Sequence, residues 1–489
     1  MTLTQLLEKV DYKVLQGSTD IEISEIVNDS RKVKAGCVFP CIRGVSFDGH
    51  RFAAEVAGKG AAAIVAQEKV DVPEHVTLVV VDDTRVAMAR MAAAWFGYPA
   101  QKLKTIGITG TKGKTTTTYM VKGMLERAGI RTGLIGTIET LIGDTRIPSA
   151  NTTPESLVLQ EYLAEMVKAG CRAVVMEVSS QALMMHRVEG ITFDIGVFTN
   201  ISADHIGPGE HSSFENYMEC KSRLFRMCRV GIFNGDDIHL GRIMEGHTCE
   251  CETYGLRKSD DLYAENISLI SRPGYLGTGF DVRGDLSFHA ETDIPGKFSV
   301  YNALCAIAVC RHFGVEKDEL KSALAEVRVR GRVEMVKVSD EFTFLIDYAH
   351  NAMALESILT TLREYHPARL ISVFGCGGNR ARSRRYEMGE VSGRCADFTI
   401  ITSDNPRYEN PEAIMDDIEK GIRKTSGKYI RIKDRKEAVR EAIRRGRRGD
   451  VIVLAGKGHE DYQEICGKKY PMDERVLIAE VLQEEKKES

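Results

Sequence analysis

A glycine-rich turn, Gly110-Thr111-Lys112-Gly113-Lys114-Thr115-Thr116, follows the apolar run Leu103 to Ile108 and opens a helix-like segment. This arrangement restricts the fold strongly. A buried strand must feed the turn and a helix must leave it, so that successive backbone N–H groups converge on one point suited to a polyphosphate. Strand-turn-helix units of this kind build α/β folds around a parallel sheet. Lys114 is spaced to reach β- and γ-phosphate oxygens, and the Thr115 hydroxyl to complete the shell of a magnesium ion. The spacing departs from the general phosphate-binding loop, which has a glycine five residues before its Gly-Lys pair. Here position 108 is Ile, and the first glycine of the loop is Gly110. The turn predicts ATP or GTP without specifying a reaction.

At 489 residues the chain is too long for one ordinary core, and it predicts about three domains. With 66 basic against 70 acidic side chains, no global field recommends nucleic acid or a membrane as partner. The basic cluster Arg444-Arg445-Gly446-Arg447-Arg448 reads as a solvated face. No segment approaches the roughly 18 apolar residues of a membrane span, and Met1 to Val10 lacks the apolar core of a signal peptide. The expectation is a cytosolic protein. Its 12 cysteines are scattered, as expected of reduced thiols. His247, Cys249 and Cys251 sit close together but lack the paired spacing of a zinc site, and they read as structural.

Residues 1–98 alternate apolar runs (Val38 to Ile42, Ala61 to Ala66, Thr77 to Val81) with helix-like stretches and close on Trp95-Phe96-Gly97-Tyr98-Pro99. A second unit, 99–332, carries the phosphate loop and further strand candidates at Ala173 to Val178, Ile195 to Thr199 and Val230 to Phe233. A third, 333–489, has apolar runs at Thr343 to Ile346, Leu370 to Phe374, Phe398 to Thr402 and Val451 to Ala455. The turns after these strands are the expected ligand loops. The tail Glu484 to Ser489 reads as frayed.

Glu177 ends a buried strand candidate, where a carboxylate costs free energy unless it is paired or bound to a cation. It is therefore a candidate magnesium ligand, and His205, after the next strand, a second. Lys221 lies in a helix-like stretch and by composition alone reads as an exposed lysine. In the third unit, Asp347-Tyr348-Ala349-His350 offers acceptors and an imidazole to a nucleotide. Arg380, Arg407 and Glu460 together suit a zwitterionic ligand, arginine meeting carboxylate and glutamate meeting ammonium.

From Asp29-Ser30-Arg31, through the shortened phosphate loop, to Asp404-Asn405-Pro406-Arg407 and Gly458-His459-Glu460, these ordered segments closely resemble the Mur ligases of peptidoglycan synthesis. The resemblance spans essentially the whole chain. It implies a three-domain α/β architecture: an N-terminal UDP-binding domain, a central P-loop-type ATPase domain and a C-terminal Rossmann-like domain that receives an amino acid. It further implies that ATP phosphorylates the terminal carboxylate of UDP-N-acetylmuramoyl-L-alanyl-D-glutamate, and that the amine of meso-diaminopimelate attacks the acyl phosphate. The enzyme would act as a monomer, without nucleic acid or membrane.

By the same resemblance, Ser30, Val45, Ser46, Phe47, Asn151, Thr152, Thr153, Ser179, Met185 and Arg187 match positions that hold the UDP-muramoyl peptide. Gly110 to Thr116 with Asn302, Arg332 and Asp347 match ATP contacts. Thr115, Glu177 and His205 match the Mg2+ environment. Lys221 matches a lysine that takes up CO2 as a carbamate, a carboxylate-like metal ligand. Lys114, His205 and Lys221 are thus the expected catalytic residues. Arg380, Asp404, Asn405, Pro406, Arg407, Gly456 and Glu460 match the diaminopimelate site. On this resemblance the guanidinium of Arg407 meets a carboxylate that lysine lacks; the alternatives are the same reaction with L-lysine or another amino acid and, from a different class, a non-catalytic nucleotide-binding regulator.

Several positions depart from the family pattern. Met185 stands where a related enzyme has glutamine, and Asp204 to His211 is about two residues longer than the common form. Asn351-Ala352-Met353 replaces Thr-Pro-Asp, Asn379 replaces Asp, and Tyr386 replaces a proline.

Overall fold

Residues 1–44, 47–207, 209–272 and 274–488 are described by the structure, a computed structural model. Val45 and Ser46 lie outside the described residues. The chain divides into two compact units, Met1–Leu262 with Cys305–Glu316, and Tyr263–Leu304 with Lys317–Ser489.

The first unit begins with a four-stranded sheet of β1 (Lys13–Gln16), β2 (Val38–Pro40), β3 (Ala63–Ala66) and β4 (Thr77–Val80), in the order β1-β4-β3-β2. The last three are the predicted apolar runs. They pair in parallel, buried on both faces, while β1 runs antiparallel to β4. Helix Thr84–Trp95 is capped by Asp83, whose carboxylate accepts from the Arg85 and Val86 N–H groups. It ends just before Gly97-Tyr98-Pro99, where Gly97 and Tyr98 both take positive φ.

The larger sheet of this unit contains β5 (Lys104–Thr109), β6 (Thr132–Ile135), β7 (Glu139–Ile142), β8 (Thr145–Pro148), β9 (Ala173–Glu177), β10 (Phe193–Phe198), β11 (Cys228–Asn234) and β12 (Glu250–Gly255). Their order is β12-β11-β10-β5-β9-β6-β7-β8. The strands from β12 to β6 in that order are parallel, and β7 and β8 fold back antiparallel. Register places Ile108 opposite Glu177, and Thr109 opposite Phe198. The C-terminal ends of β5, β9 and β10 therefore open side by side, as an α/β ligand site requires.

In the second unit β13 (Leu262–Arg272), β14 (Tyr275–Gly284) and β15 (Phe288–Thr292) lie side by side. A six-stranded sheet follows, made of β16 (Glu334–Val336), β17 (Thr343–Asp347), β18 (Leu370–Phe374), β19 (Phe398–Ile401), β20 (Tyr429–Arg431) and β21 (Val451–Ala455). Its order is β16-β17-β21-β18-β19-β20, parallel except for the edge strand β16. The four predicted strands are β17, β18, β19 and β21. Asp347 and Phe374 both register with Ala455, which brings the loops after β17, β18 and β21 to one end.

The C-terminal tail differs from expectation. Helix Glu474–Glu488 continues through it, with Glu484 paired to Lys436 and Arg440, and Glu485 to Arg444. The basic helix Arg435–Arg445 thus meets an acidic partner, so Arg444 is not merely solvated. All 12 cysteines are free thiols, with Cys251 and Cys466 exposed. Among the described residues no helix is long and apolar enough to cross a membrane.

Candidate active site

The phosphate loop joins β5 to helix Lys114–Arg127. Gly110 has φ +148, and a Cβ there would stand 1.9 Å from Thr199 Oγ1, so only glycine fits. Gly113, at φ +86, turns the chain into the helix. The segment after β10 clasps the loop: Thr199 Oγ1 donates to the Lys112 carbonyl at 2.7 Å, and the Lys112 N–H donates to Asn200 Oδ1 at 2.9 Å. Thr111 Oγ1 lies 3.1 Å from the Tyr217 hydroxyl. The loop is therefore held in shape by the protein itself. Lys114 Nζ donates to the carbonyls of Gly110 and Thr111, at 2.8 and 3.1 Å.

Glu177, 1% exposed at the end of β9, accepts from Thr115 Oγ1 at 3.0 Å and from the Thr137 N–H at 2.8 Å. The Thr137 hydroxyl donates to the other Glu177 oxygen at 3.1 Å and lies 3.0 Å from Thr152 Oγ1. Thr153 Oγ1 donates to the Glu177 carbonyl and accepts from the Ser179 N–H. Arg187 donates to the Thr153 carbonyl at 3.0 Å and pairs with Glu155 at 2.6 Å. Thr115, Glu177, Thr152, Thr153, Ser179 and Arg187 thus form one connected network, while Asn151 is exposed beside it. Thr137, the bridge, was not singled out from the sequence; its signal is a lone hydroxyl just past β6.

Lys221 is buried in helix Phe214–Ser222, contrary to the compositional expectation of an exposed lysine. Its Nζ donates to the Gly110 carbonyl at 2.8 Å and sits 4.5 Å from the centre of the Tyr217 ring. Burial, with Lys114 nearby, holds this amine well below the usual lysine value. His205 is exposed, at φ +54, with Nδ1 3.3 Å from Glu210. His211, also missed, is buried with Nε2 2.8 Å from Ser180 Oγ. Burial lowers its pKa. The longer Asp204 to His211 loop thus returns a second imidazole towards the helix that carries Lys221.

A cavity of about 810 Å³ in the first unit is lined by Ser30, Phe47, Arg85, Glu155 and Met185, among others. Phe47 is 62% exposed, an aromatic ring open to a ligand face. Two predicted contacts from the N-terminal segment therefore share a cavity with Met185, next to the Arg187 pair.

In the second unit, Arg407 adopts φ +52, pairs through Nε with Glu464 at 3.1 Å and donates through Nη1 to the Gly378 carbonyl at 2.7 Å. A Cβ on Gly378 would stand 2.0 Å from the Pro406 carbonyl, so the two loops touch through backbone. Asn405 Nδ2 donates to Glu460 at 2.8 Å, and Asp404 caps the Asn405 N–H at 2.6 Å. Gly456, φ +110, brings its backbone against Asp404. Lys457 is fully buried and donates to Glu460 at 2.6 Å and Asn405 Oδ1 at 2.8 Å. Burial alone would raise the Glu460 pKa; Lys457 outweighs it and holds the carboxyl below its ordinary value. Lys457 and Glu464 were not foreseen, since a lysine between two glycines reads as exposed. Arg380 is exposed at the mouth of the β18 loop.

Asp347 accepts from the Val333 and Ala349 N–H groups at 2.8 Å each, and burial raises its pKa against the pull of Arg332. Arg332 lies over the Tyr348 ring at 4.8 Å, and its Nε is buried without a hydrogen-bond partner. Asn302 is buried on helix Lys297–Arg311. Tyr386 donates to Asp417, which also holds Arg382 and the buried Arg385. The proline departure thus supplies a hydrogen bond.

Three family models match in order: the Mur ligase family catalytic domain over residues 22–96, the Mur ligase middle domain over 108–310, and the Mur ligase glutamate ligase domain over 331–458. The chain is 44% identical to the UDP-N-acetylmuramoyl-L-alanyl-D-glutamate–2,6-diaminopimelate ligase of Caldanaerobacter subterraneus subsp. tengcongensis, covering 100% of both chains. It is also 44% identical to ligase 1 of that name from Clostridium acetobutylicum, over 99% of this chain and 100% of the relative. A solved structure of a ligase with this name superposes with TM-score 0.74 at 29% identity, covering 99% of each chain. The MurF ligase of Thermotoga maritima in complex with ADP shares the fold, with TM-score 0.56 at 19% identity over 94% of this chain and 96% of that one.

Proposed function

This chain belongs to the Mur ligase family of ATP-dependent ligases, and on that premise we propose that it joins 2,6-diaminopimelate to UDP-N-acetylmuramoyl-L-alanyl-D-glutamate. The observation that carries this reading is the run of hydrogen bonds Thr115–Glu177–Thr137–Thr152, which ties the phosphate loop to the segment expected to hold the acceptor peptide. A phosphoryl donor and a carboxylate acceptor bound at its two ends are neighbours, and proximity supplies much of the rate.

The chemistry follows from the groups present. A carboxylate is a poor electrophile, so an oxygen of the peptide's terminal carboxylate first displaces ADP from the γ-phosphorus, giving an acyl phosphate. The diaminopimelate amine then attacks the acyl carbon, the carbon–oxygen bond to phosphate breaks, and the nitrogen loses a proton. Lys114 exchanges its two loop carbonyls for phosphate oxygens, and the helix N-terminus after Gly113 faces the same charge. The proposed nucleotide contacts Asn302, Arg332 and Asp347 have matching chemistry, above all the unpartnered Arg332 Nε.

Glu177 is a buried carboxylate whose donors, Thr115 and Thr137, are uncharged, a set that fits a divalent cation. Thr115, Glu177, His205 and a carbamate on Lys221 would hold Mg2+, which neutralises charge on the transferring phosphoryl group. The lowered pKa of Lys221 supports the carbamate, because the neutral amine is the form that takes up CO2.

Arg407 is the proposed reader of diaminopimelate. Glu464 and Gly378 fix its Nε and Nη1, so the fork is oriented while Nη2 remains for a ligand carboxylate. Lysine has no carboxylate at that end, and losing one charged hydrogen bond costs about 1.5–3 kcal/mol.

Phosphate release from ATP, with the UDP-dipeptide and diaminopimelate, lysine or ornithine in turn, tests the proposal. Dependence on diaminopimelate is expected. Release indifferent to any amino acid overturns the ligase reading, and a lysine preference overturns the role of Arg407.

A further inference from the structure

At the pole of the large sheet opposite the phosphate loop, β11 and β12 begin beside one another with a cysteine-rich edge. Cys228 opens β11, Cys249 immediately precedes β12, and Cys251 is the second residue of β12. A strand turns alternate side chains to one face, so two cysteines two residues apart point the same way. His247 closes the group: its Nδ1 lies 3.3 Å from Cys251 Sγ and 3.9 Å from Cys249 Sγ. The ligand atoms of these three residues all fall within 4.8 Å of one another. The Cys228 thiol, on the neighbouring strand, lies near this group but outside it.

Space for the sulfurs comes from the neighbouring strands. A Cβ on Gly231 would stand 2.6 Å from Cys249 Sγ, and one on Gly196 would stand 2.7 Å from Cys228 Sγ. Two glycines, on β10 and β11, thus leave the room that two thiols fill. Zinc bonds of about 2.3 Å to sulfur and 2.0–2.1 Å to nitrogen put tetrahedral ligands about 3.5–3.8 Å apart, close to the separations seen.

We propose that His247, Cys249 and Cys251 form a Zn2+ site that ties the turn before β12 to the start of that strand, with the fourth position left to water. Two sulfurs and one imidazole select a borderline-soft cation over magnesium, so this site does not compete for the metal of the ATP site. The sequence pattern concealed it because the usual zinc loop separates paired cysteines by two residues, whereas here a single residue separates them and a histidine just before the strand completes the group.

The test uses full-length protein, reduced and freed of metal, titrated with Co2+ and then Zn2+. One equivalent of cobalt should give thiolate-to-cobalt charge transfer and tetrahedral visible bands, both erased by zinc. Cobalt on the oxygen ligands of the phosphate site gives no such charge transfer, so the two sites are read apart. Cys251→Ser and His247→Ala, both at exposed positions, should retain the native circular dichroism and ligase activity while weakening cobalt binding at least about tenfold. Absence of the charge-transfer band, or its persistence unchanged in folded Cys251→Ser protein, overturns the site.

Discussion

Lys221 and Lys114 donate to the same acceptor, the Gly110 carbonyl oxygen, each at 2.8 Å. Burial, and then the repulsion of the nearby Lys114 ammonium, hold the Lys221 amine well below the usual lysine value. Conversion of that amine to the proposed carbamate would place an anion beside Lys114. Lys221→Ala should therefore lose at least about a hundredfold in kcat, and added formate should restore part of it by supplying a carboxylate. Steady-state phosphate release checks both; full activity without formate removes the role.

Thr137 is the hydroxyl between the phosphate loop network and Thr152. Thr137→Val keeps the shape and the backbone N–H donated to Glu177 but deletes the bridge. A lost hydrogen bond of this type costs about 1–2 kcal/mol, so kcat should fall about 5- to 30-fold with little change in thermal midpoint. An unchanged kcat would show that the bridge does not position the acceptor.

Arg407→Lys keeps the charge and loses the planar fork. With diaminopimelate, kcat/KM should fall about 10- to 150-fold, while any residual activity with lysine stays constant, so the preference between the two narrows. Parallel assays with both amino acids measure that ratio. A uniform loss would assign Arg407 to holding Glu464 and Gly378 in place.

His459 packs on Tyr348 at 4.7 Å between ring centres, with its pKa driven down to about 4 by burial and then by Arg332. Its folded value lies below the unfolded one near 6.5. The stability it contributes is therefore whole above pH 6.5 and is lost as pH falls through 4, by up to about 3 kcal/mol. His459→Phe retains the stacked ring and removes the titration. Calorimetry at pH 7 and 4.5 should show a smaller acid-induced drop in the variant, and equal drops would refute the assignment.

Much of this was legible because the chemistry is local in the chain. The Gly110 to Thr116 turn, the apolar runs that became β17, β18, β19 and β21, and the loops after them each announce themselves within a dozen residues. What stayed hidden depends on partners distant in sequence. Lys457 is buried because Glu460 and Asn405 neutralise and cradle it, which a flanking pair of glycines does not reveal. The tail helix stays ordered because Lys436 and Arg440, some forty residues away, meet Glu484. Strands β13 to β15 were not foreseen at all; β13, for one, is buried only at Leu262 and Ala264 and is otherwise half-buried or exposed, so it forms no apolar run.

The parallel run of strands from β12 to β6 has a consequence for how such a protein can change over generations. The loops proposed to meet the nucleotide leave β5, β9 and β10 at their carboxyl ends, and none of the proposed contacts lies at the amino ends of these strands. That end of the sheet is a workshop where cysteines, charges or insertions can be tried away from the proposed contacts. A lineage could acquire or discard a cation clip there while its ligase stayed the same.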